Sequence, residues 1–539
     1  MANLRRSLTK ILLLVFCLVS TEPASAQAPA MGGVVICPTC GHEMPGTFNF
    51  CSNCGTNLEN VPRVATSPAP KTTTVTTATA VEKKKSGGFL NLFGGFAASP
   101  AQHGSSALSD KPIALKLEGF PDRPKPIIEI GQNPFLGQGP IAPGIKLPTG
   151  AVWQPVFIVF GTARTAVQTF DNGTGQITEW ANRLDLYGNL FLTPTERFLI
   201  GFRPLDRDGL DYSGYRFDPS PQRLKNDLNG YVTTLFFQGD FGELFPNLDP
   251  NDTKGLDIQF AIGRQPLNFE DGIMINEDAI DAVGLTKTSL FFLGSSSWRT
   301  TGIFAWGELN RNDNLRESNA RLFGLFNTAD YESDTIDLDL AYVTADASTG
   351  GDGLYLGIGD TRRFGLINST TRANASFALD HETPAVSTGL LLFQQLSTTL
   401  PESKDIGYID LFWGIGDYSS AARGDDRGGP LGDTGILFAA QGLGSYGAPL
   451  GNRANDAVGL AIGYQKFLGT TDKQLTFELG GRLRTRDPQF FDQPNSIAGA
   501  ARYQMKLNQH MVLIFDTFLG FPEERDTAYG FRSEILVKF

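Results

Sequence analysis

From about residue 150 to the C-terminus, apolar and polar residues alternate in runs of eight to twelve, separated by Gly, Asp, Asn and Pro. A period of two marks an extended strand with one apolar and one wet face. The last run shows it best. Tyr529, Phe531, Ile535, Val537 and Phe539 share one face with Ser533 as its polar member, and Gly530, Arg532, Glu534, Leu536 and Lys538 share the other. Leu475, Phe477, Leu479 and Leu483 likewise oppose Gln474, Thr476, Glu478, Arg482 and Arg484. Tyr503, Met505 and Leu507 oppose Arg502, Gln504 and Lys506. Further back, Ile336, Leu338, Leu340 and Tyr342 face away from Asp337 and Asp339, and Val458, Leu460, Ile462 and Tyr464 from small residues and Gln465.

A soluble sandwich alternates too, so the rest of the pattern decides. Full charges recur on the polar face of strand after strand, which suits a water-filled lumen. Tight turns (Leu507–Gln509, Gly469–Lys473) alternate with long polar loops (Arg486–Ser496, Ser419–Asp456), the rhythm of membrane barrels. Mean hydropathy is near neutral at −0.13, as it must be when inward and outward residues cancel. The one long apolar run, Ile11–Ser20, falls short of the ~20 residues a spanning helix needs. The expected fold is therefore all-β, with residues 151–539 forming a transmembrane antiparallel β-barrel of sixteen to eighteen strands. At ~9–11 residues per tilted strand the length is ample, and a barrel of that size leaves an aqueous channel.

The run Ile11–Val19 belongs to an export signal spanning residues 1–26: Arg5, Arg6 and Lys10 precede it, and Ala24-Ser25-Ala26 supplies a small-residue cleavage site before Gln27. At the other end, an amphipathic strand with spaced aromatics finishes in Phe539. This resembles the C-terminal signal of outer-membrane β-barrels, carried here by Tyr529, Phe531 and Phe539. The resemblance implies a Gram-negative outer-membrane location, insertion by the barrel-assembly machinery, and a porin-like pore for small hydrophilic solutes in contact with outer-membrane lipid. Porins commonly form trimers, so a homo-oligomer comes with the resemblance, though the sequence does not fix it.

Four of the five cysteines fall within Cys37–Cys54 and none follows, so disulfides do not hold the large domain. Cys37-Pro-Thr-Cys40-Gly41 and Cys51-Ser-Asn-Cys54-Gly55 form two short loops, and four thiolates so placed can surround Zn²⁺ tetrahedrally. The stretch 34–58 resembles a zinc ribbon, which implies Cys37, Cys40, Cys51 and Cys54 as structural ligands. Two disulfides in an exported segment are the competing reading, and an iron site is a third. Gly41 before His42 excludes a c-type haem motif. Residues 60–110 are Pro-, Thr-, Ala- and Gly-rich and read as a disordered tether; 111–150, rich in Pro and Gly, reads as a lead-in to the barrel.

Charge narrows the function. From residue 151 there are 32 Lys and Arg against 49 Asp and Glu, a net of −17, which argues against nucleic acid as a partner. Candidate pore-lining residues are Glu478, Arg482, Arg484, Arg502, Lys506, Arg532 and Glu534. Arg264 joins them because Gly263-Arg264-Gln265 resembles a strand of carbohydrate-export porins. The loop 419–456, apolar at Ile436–Ala440, either folds inward as a constriction or forms an outer hairpin. Its Gly424–Asp433 part reads as a solvated turn rather than a calcium loop. Two of the four histidines, His381 and His510, lie in the barrel, and no nucleophile–base–orienter set can be assembled, so an enzyme is not expected. An energy-coupled transporter needs a folded plug that 27–150 does not supply. The alternative to a passive pore is a structural anchor whose periplasmic ribbon docks a periplasmic or cell-wall partner.

For the ribbon, fragment 27–60 is expected to bind one zinc ion, with a folding contribution on the order of 10 kcal/mol typical of structural zinc, and to lose it when Cys51 and Cys54 become serine. Metal analysis with thiol counting checks this; two intact disulfides without zinc would overturn it.

Overall fold

The computed structural model describes residues 125–131, 144–208, 211–251, 253–348 and 350–539, and the backbone pairing of Val34–Ile36 with Glu43–Pro45. That pairing brackets Cys37 and Cys40 in sequence. The export signal, the cysteines themselves and the 60–110 tether lie outside the described residues.

The alternating sequence becomes a closed sheet of eighteen spanning strands among the described residues. They are β1 Val156–Asp171, β2 Gln176–Phe191, β3 Arg197–Phe202 with its continuation Asp211–Asp218, β4 Val232–Asp240, β5 Ile258–Phe269 and β6 Ile275–Leu290. Next come β7 Ser297–Gly307, β8 Arg321–Asp330, β9 Asp334–Thr344, β10 Gly353–Phe364, β11 Ile367–Ala378 and β12 Gly389–Thr399. The last six are β13 Ile406–Gly416, β14 Ala457–Phe467, β15 Lys473–Arg484, β16 Ser496–Lys506, β17 Met511–Pro522 and β18 Ala528–Lys538. Each pairs antiparallel with its sequence neighbour, and β18 closes on β1 from Tyr529↔Asp171 to Lys538↔Thr162. Phe539 completes the seam, exchanging backbone hydrogen bonds with Gly161 at 2.8 and 3.0 Å. Below that point Ile128–Ile130, in the lead-in, pairs with Phe157–Val159 of β1 and covers the edge that β18 no longer reaches.

Closure is what makes the sheet viable in lipid, where an unpaired N–H or C=O finds no water. The faces divide as the alternation requires. In β14, Ala457 and Ala461 are buried inward while Val458, Leu460 and Ile462 face out, and in β15 Phe477, Leu479 and Leu483 face out opposite Glu478 and Arg482. At one end the strands are joined by short turns (331–333, 365–366, 468–472, 507–510). At the other lie the long connections 308–320, 417–456 and 485–495. The C-terminus is at the short-turn end, where the Lys538 amide donates to the His510 carbonyl.

Glycines on β13 separate two environments. A Cβ at Gly414 would run into the Ala454 carbonyl, where the 417–456 loop returns against the wall, whereas a Cβ at Gly407 meets nothing within 4 Å. Gly414→Ala is expected to destabilise the folded barrel by about 1–3 kcal/mol, the usual range for overpacking, and Gly407→Ala to leave it unchanged or slightly firmer. The temperature at which the folded, SDS-resistant form converts to the unfolded one checks the pair; equal temperatures would sink the assignment.

Candidate functional site: two inward segments and the passage beside them

The wall is interrupted at β5 and β6. Strand β4 pairs with β5 no further than Leu235↔Arg264, and β7 pairs with β6 no further than Gly307↔Asp281. The two strands nevertheless stay paired with each other to Phe269↔Ile275. Proline explains the departure. Pro266 has no N–H to give a neighbouring strand, and the register shifts between Gln265 and Leu267. Beyond it the hairpin turns into the lumen and packs against the inner face of β8–β11. There Phe269 stacks on Phe326 of β8, Met274 and Ile275 join Leu322, Ala341 and Val343 in an apolar cluster, and Arg372 of β11 reaches Glu270 and Asp271 at 2.6 Å each.

The second inward segment is the loop 417–456. Its Ala422–Arg423 pairs in parallel with Ile275–Asn276 of the hairpin, so the hairpin's free edge is capped. Arg423 is fully buried. Its guanidinium donates to the carbonyls of Gly272, Ile273 (3.4 Å) and Arg427 (3.4 Å) and to the Ser420 hydroxyl (3.1 Å). One side chain thus ties both inward segments together. The apolar middle packs against the wall: Leu431, Ile436, Leu437 and Phe438 meet Phe393, Phe412, Ala461, Ala498, Ala500 and Phe518. Alanines and glycines on the inner face of β14–β16 leave the recess that these side chains fill. The inward alternative for this segment is the one observed.

Charged wall residues clamp the loop by its backbone. Glu478 accepts the amides of Ile436 and Leu437, both at 2.6 Å. Glu179 of β2 accepts the Ser445 amide at 2.6 Å. Arg164 of β1 donates to the Gln441 carbonyl at 3.1 Å, Arg183 of β2 to that of Gly442 at 2.8 Å, and Arg482 to that of Leu450 at 3.0 Å. Arg502 and Arg532 share the Gln441 side-chain oxygen at 2.9 and 2.8 Å, and Glu534 pairs with Arg164 at 2.7 Å. Of the residues singled out from the sequence, Glu478, Arg482, Arg502, Arg532 and Glu534 therefore sit on the inner face beneath the loop; Arg532 is only 1% exposed. They hold the loop rather than line open water. Arg484 pairs with Asp492 at the long-loop rim (3.1 Å) and Lys506 with Asp472 at the short-turn rim (3.7 Å). Tyr529 and Phe531 face outward.

Arg264 requires a correction. Residues opposite each other in a ladder share a face, and its partner Leu235 faces outward, 52% exposed. Arg264 is thus on the outer side of the wall, where it binds Asp281 (2.9 Å), Glu308 (3.2 Å) and the Val232 carbonyl (3.0 Å). It bridges the notch left by the departing hairpin. The Gly424–Asp433 stretch is also not a solvated turn. Asp426 is buried against Arg183 at 2.5 Å and Arg203 at 3.7 Å. Burial opposes its charge, but the guanidiniums of Arg183, Arg203 and Arg427 outweigh that and hold its carboxyl far below the usual carboxylate range. Burial pulls Arg423 down to about 10, against the field of Asp433, which still leaves it charged at neutral pH.

Between the inward segments and the β1–β7 wall lie two cavities, of 220 and 330 Å³. The first is lined by Tyr231, Asn310, Asn314 and Arg316 among others, near the long-loop end. The second is lined by Phe160, Arg183, Asp185 and Tyr187. Both include Arg203, Thr233 and Asp278, so the two meet at a neck. Arg203 and Asp278 went unnoticed in the sequence because each lies on a strand whose alternation is broken, by the β3 interruption and by the inward turn.

A closed eighteen-stranded barrel with two segments folded into its lumen is the architecture of outer-membrane porins. The chain has that fold, and its N-terminal region carries a zinc ribbon: the zinc-ribbon domain family matches residues 36–58. By sequence, no curated relative matches the chain. Among solved structures, the barrel is similar to a BenF-like porin from Pseudomonas fluorescens Pf-5, at 8% identity and a TM-score of 0.50, covering 71% of this chain and 98% of that one. It is also similar to the outer membrane protein opdK from Pseudomonas aeruginosa (9% identity, TM-score 0.48, 71% and 98% covered). A third is Acinetobacter baumannii OccAB3 (10%, 0.47, 71% and 99%).

Arg423→Ala is expected to free the two inward segments from each other, because each buried carbonyl left without its donor costs about 1–3 kcal/mol. Single-channel recordings should then show larger and noisier conductance, with Arg423→Lys intermediate; recordings indistinguishable from wild type would remove the clasp.

Proposed function

We propose that the protein is an outer-membrane porin through which small hydrophilic solutes diffuse without energy input. The observation that carries the reading is the off-axis passage, two polar cavities meeting at Arg203–Thr233–Asp278 inside a barrel with an apolar outer face. The inward segments narrow the lumen to that side, so the pore is small and shaped by ion pairs rather than wide. Rings of opposed charge at a constriction bias which solutes pass. We read the barrel as non-enzymatic, and the short-turn end, with both the lead-in and the C-terminus, as periplasmic.

The N-terminal ribbon belongs to the same reading. Its first cysteine pair falls between two paired strands, Val34–Ile36 and Glu43–Pro45, which suits a zinc knuckle. Cys37, Cys40, Cys51 and Cys54 would hold the ion, which supplies folding stability and leaves no open coordination position. The knob so formed would dock a periplasmic or cell-wall partner at the end of its tether. How completely the inward segments fill the rest of the lumen favours, as a second reading, a barrel that serves mainly as an anchor for that knob.

Planar-bilayer recording separates the two. The pore reading expects stable ohmic steps from purified full-length protein, and a correctly inserted but electrically silent barrel would favour the anchor.

A further inference from the structure

The neck of the passage centres on a single carboxylate shared between the wall and the inner loop. Asp278 lies on β6 where the hairpin leaves the wall. Its carboxylate faces Arg203 of the wall at 3.0 Å and pairs with Arg427 of the inner loop. Arg203 in turn binds Asp185 at 3.1 Å, and Arg183 joins Asp185 at 3.2 Å and Asp426 at 2.5 Å. Three guanidiniums and three carboxylates are therefore interlocked at the point where the two cavities meet, and the buried Asp206 acts on the same arginines.

This network constrains what can pass. Anything moving from one cavity to the other must part Asp278 from Arg203 or Arg427. A neutral solute parts them and returns nothing, which leaves two facing charges without their partners. A simple anion satisfies the arginines but confronts Asp278, and a simple cation satisfies Asp278 but confronts the arginines. A solute with a carboxylate and an ammonium on one short frame can do both, taking the place of Asp278 on Arg203 and of Arg203 on Asp278. The Thr233 hydroxyl at the same level and the Tyr231 and Tyr187 side chains above and below offer further hydrogen bonds on the way.

We propose that the Arg203–Asp278–Arg427 neck makes the channel selective for small zwitterions over neutral or singly charged solutes of the same size. The proposal rests on the pore reading and sharpens it. Full-length protein reconstituted in liposomes is tested by swelling in isosmotic L-alanine and in glycerol, which are close in mass. Swelling several-fold faster in alanine is expected. Asp278→Asn removes one negative charge from the neck, so the alanine advantage should shrink and the reversal potential in a KCl gradient should move towards anions. Equal swelling of wild-type liposomes in the two solutes, with conductance present, overturns the neck while leaving the pore. No swelling in either solute and no conductance overturns the pore reading, and the neck with it. The wild-type comparison stands whether or not the variant folds.

Discussion

In a bilayer every backbone N–H and C=O must find its partner inside the protein, because lipid offers none. The β18–β1 seam answers that requirement for the barrel as a whole, with Phe539 extending the ladder to Gly161. The same requirement governs the one place where strands leave the wall. Past Pro266, β5 and β6 lose β4 and β7 as neighbours but keep each other, and Ala422–Arg423 caps the edge so exposed. The notch outside is closed by side chains, with Arg264 reaching the Val232 carbonyl, Asp281 and Glu308. The parallel pairing of Ala422–Arg423 with Ile275–Asn276 thus meets again part of what the inward turn frees on β6.

The inner loop is held by two kinds of force on its two sides. Towards β12–β17 the contact is apolar: Ile436–Phe438 fill a recess left by Ala461, Ala498 and Ala500, and Phe438 meets Phe412 edge-on at 5.3 Å. Towards β1, β2 and β18 it is polar. Arg164 and Arg183 grip loop carbonyls and Glu179 a loop amide there, while Glu478 and Arg482 of β15 add backbone contacts beside the apolar seat. A carboxylate that accepts two amides makes strong, charge-assisted bonds. It also fixes direction in a way that apolar packing cannot, so the loop has both a seat and a register.

Much of this was legible in the sequence. Period-two alternation identified the strands, the polar faces were assigned to the correct side in β15, β16 and β18, and eighteen strands fall within the expected range. The apolar patch Ile436–Ala440 in an otherwise polar loop was the trace of the constriction. A second trace went unused: the inward positions of β14 are Ala457, Gly459, Ala461 and Gly463, too small to face water for any reason of their own, and they mark where the loop seats. The neck was not legible. Arg203 follows Phe202 at a strand break, Asp278 lies on a hairpin displaced by one proline, and Asp426 belongs to a Gly- and Asp-rich run that reads as solvated until Arg183 and Arg203, more than 200 residues away in the chain, are known to bind it. Arg264 misled for the related reason that a three-residue likeness says nothing of which face a strand residue takes, whereas its parity with Ile262, an outward residue, does.

The uneven seat of the loop also decides where the passage runs. Apolar contact excludes water and tolerates no gap, since a void along it forfeits dispersion on both sides, so the loop lies close against the β12–β17 wall. Guanidinium–carboxylate contacts keep their polar edges turned to whatever space remains, and they can exchange partners with a solute without leaving a charge bare. The two cavities therefore lie along the charged wall, and they meet where charges from the wall, the hairpin and the loop converge on Asp278. The distribution of alanine and arginine around the inner face, rather than the diameter of the barrel, sets where space is left inside it and which side chains line that space.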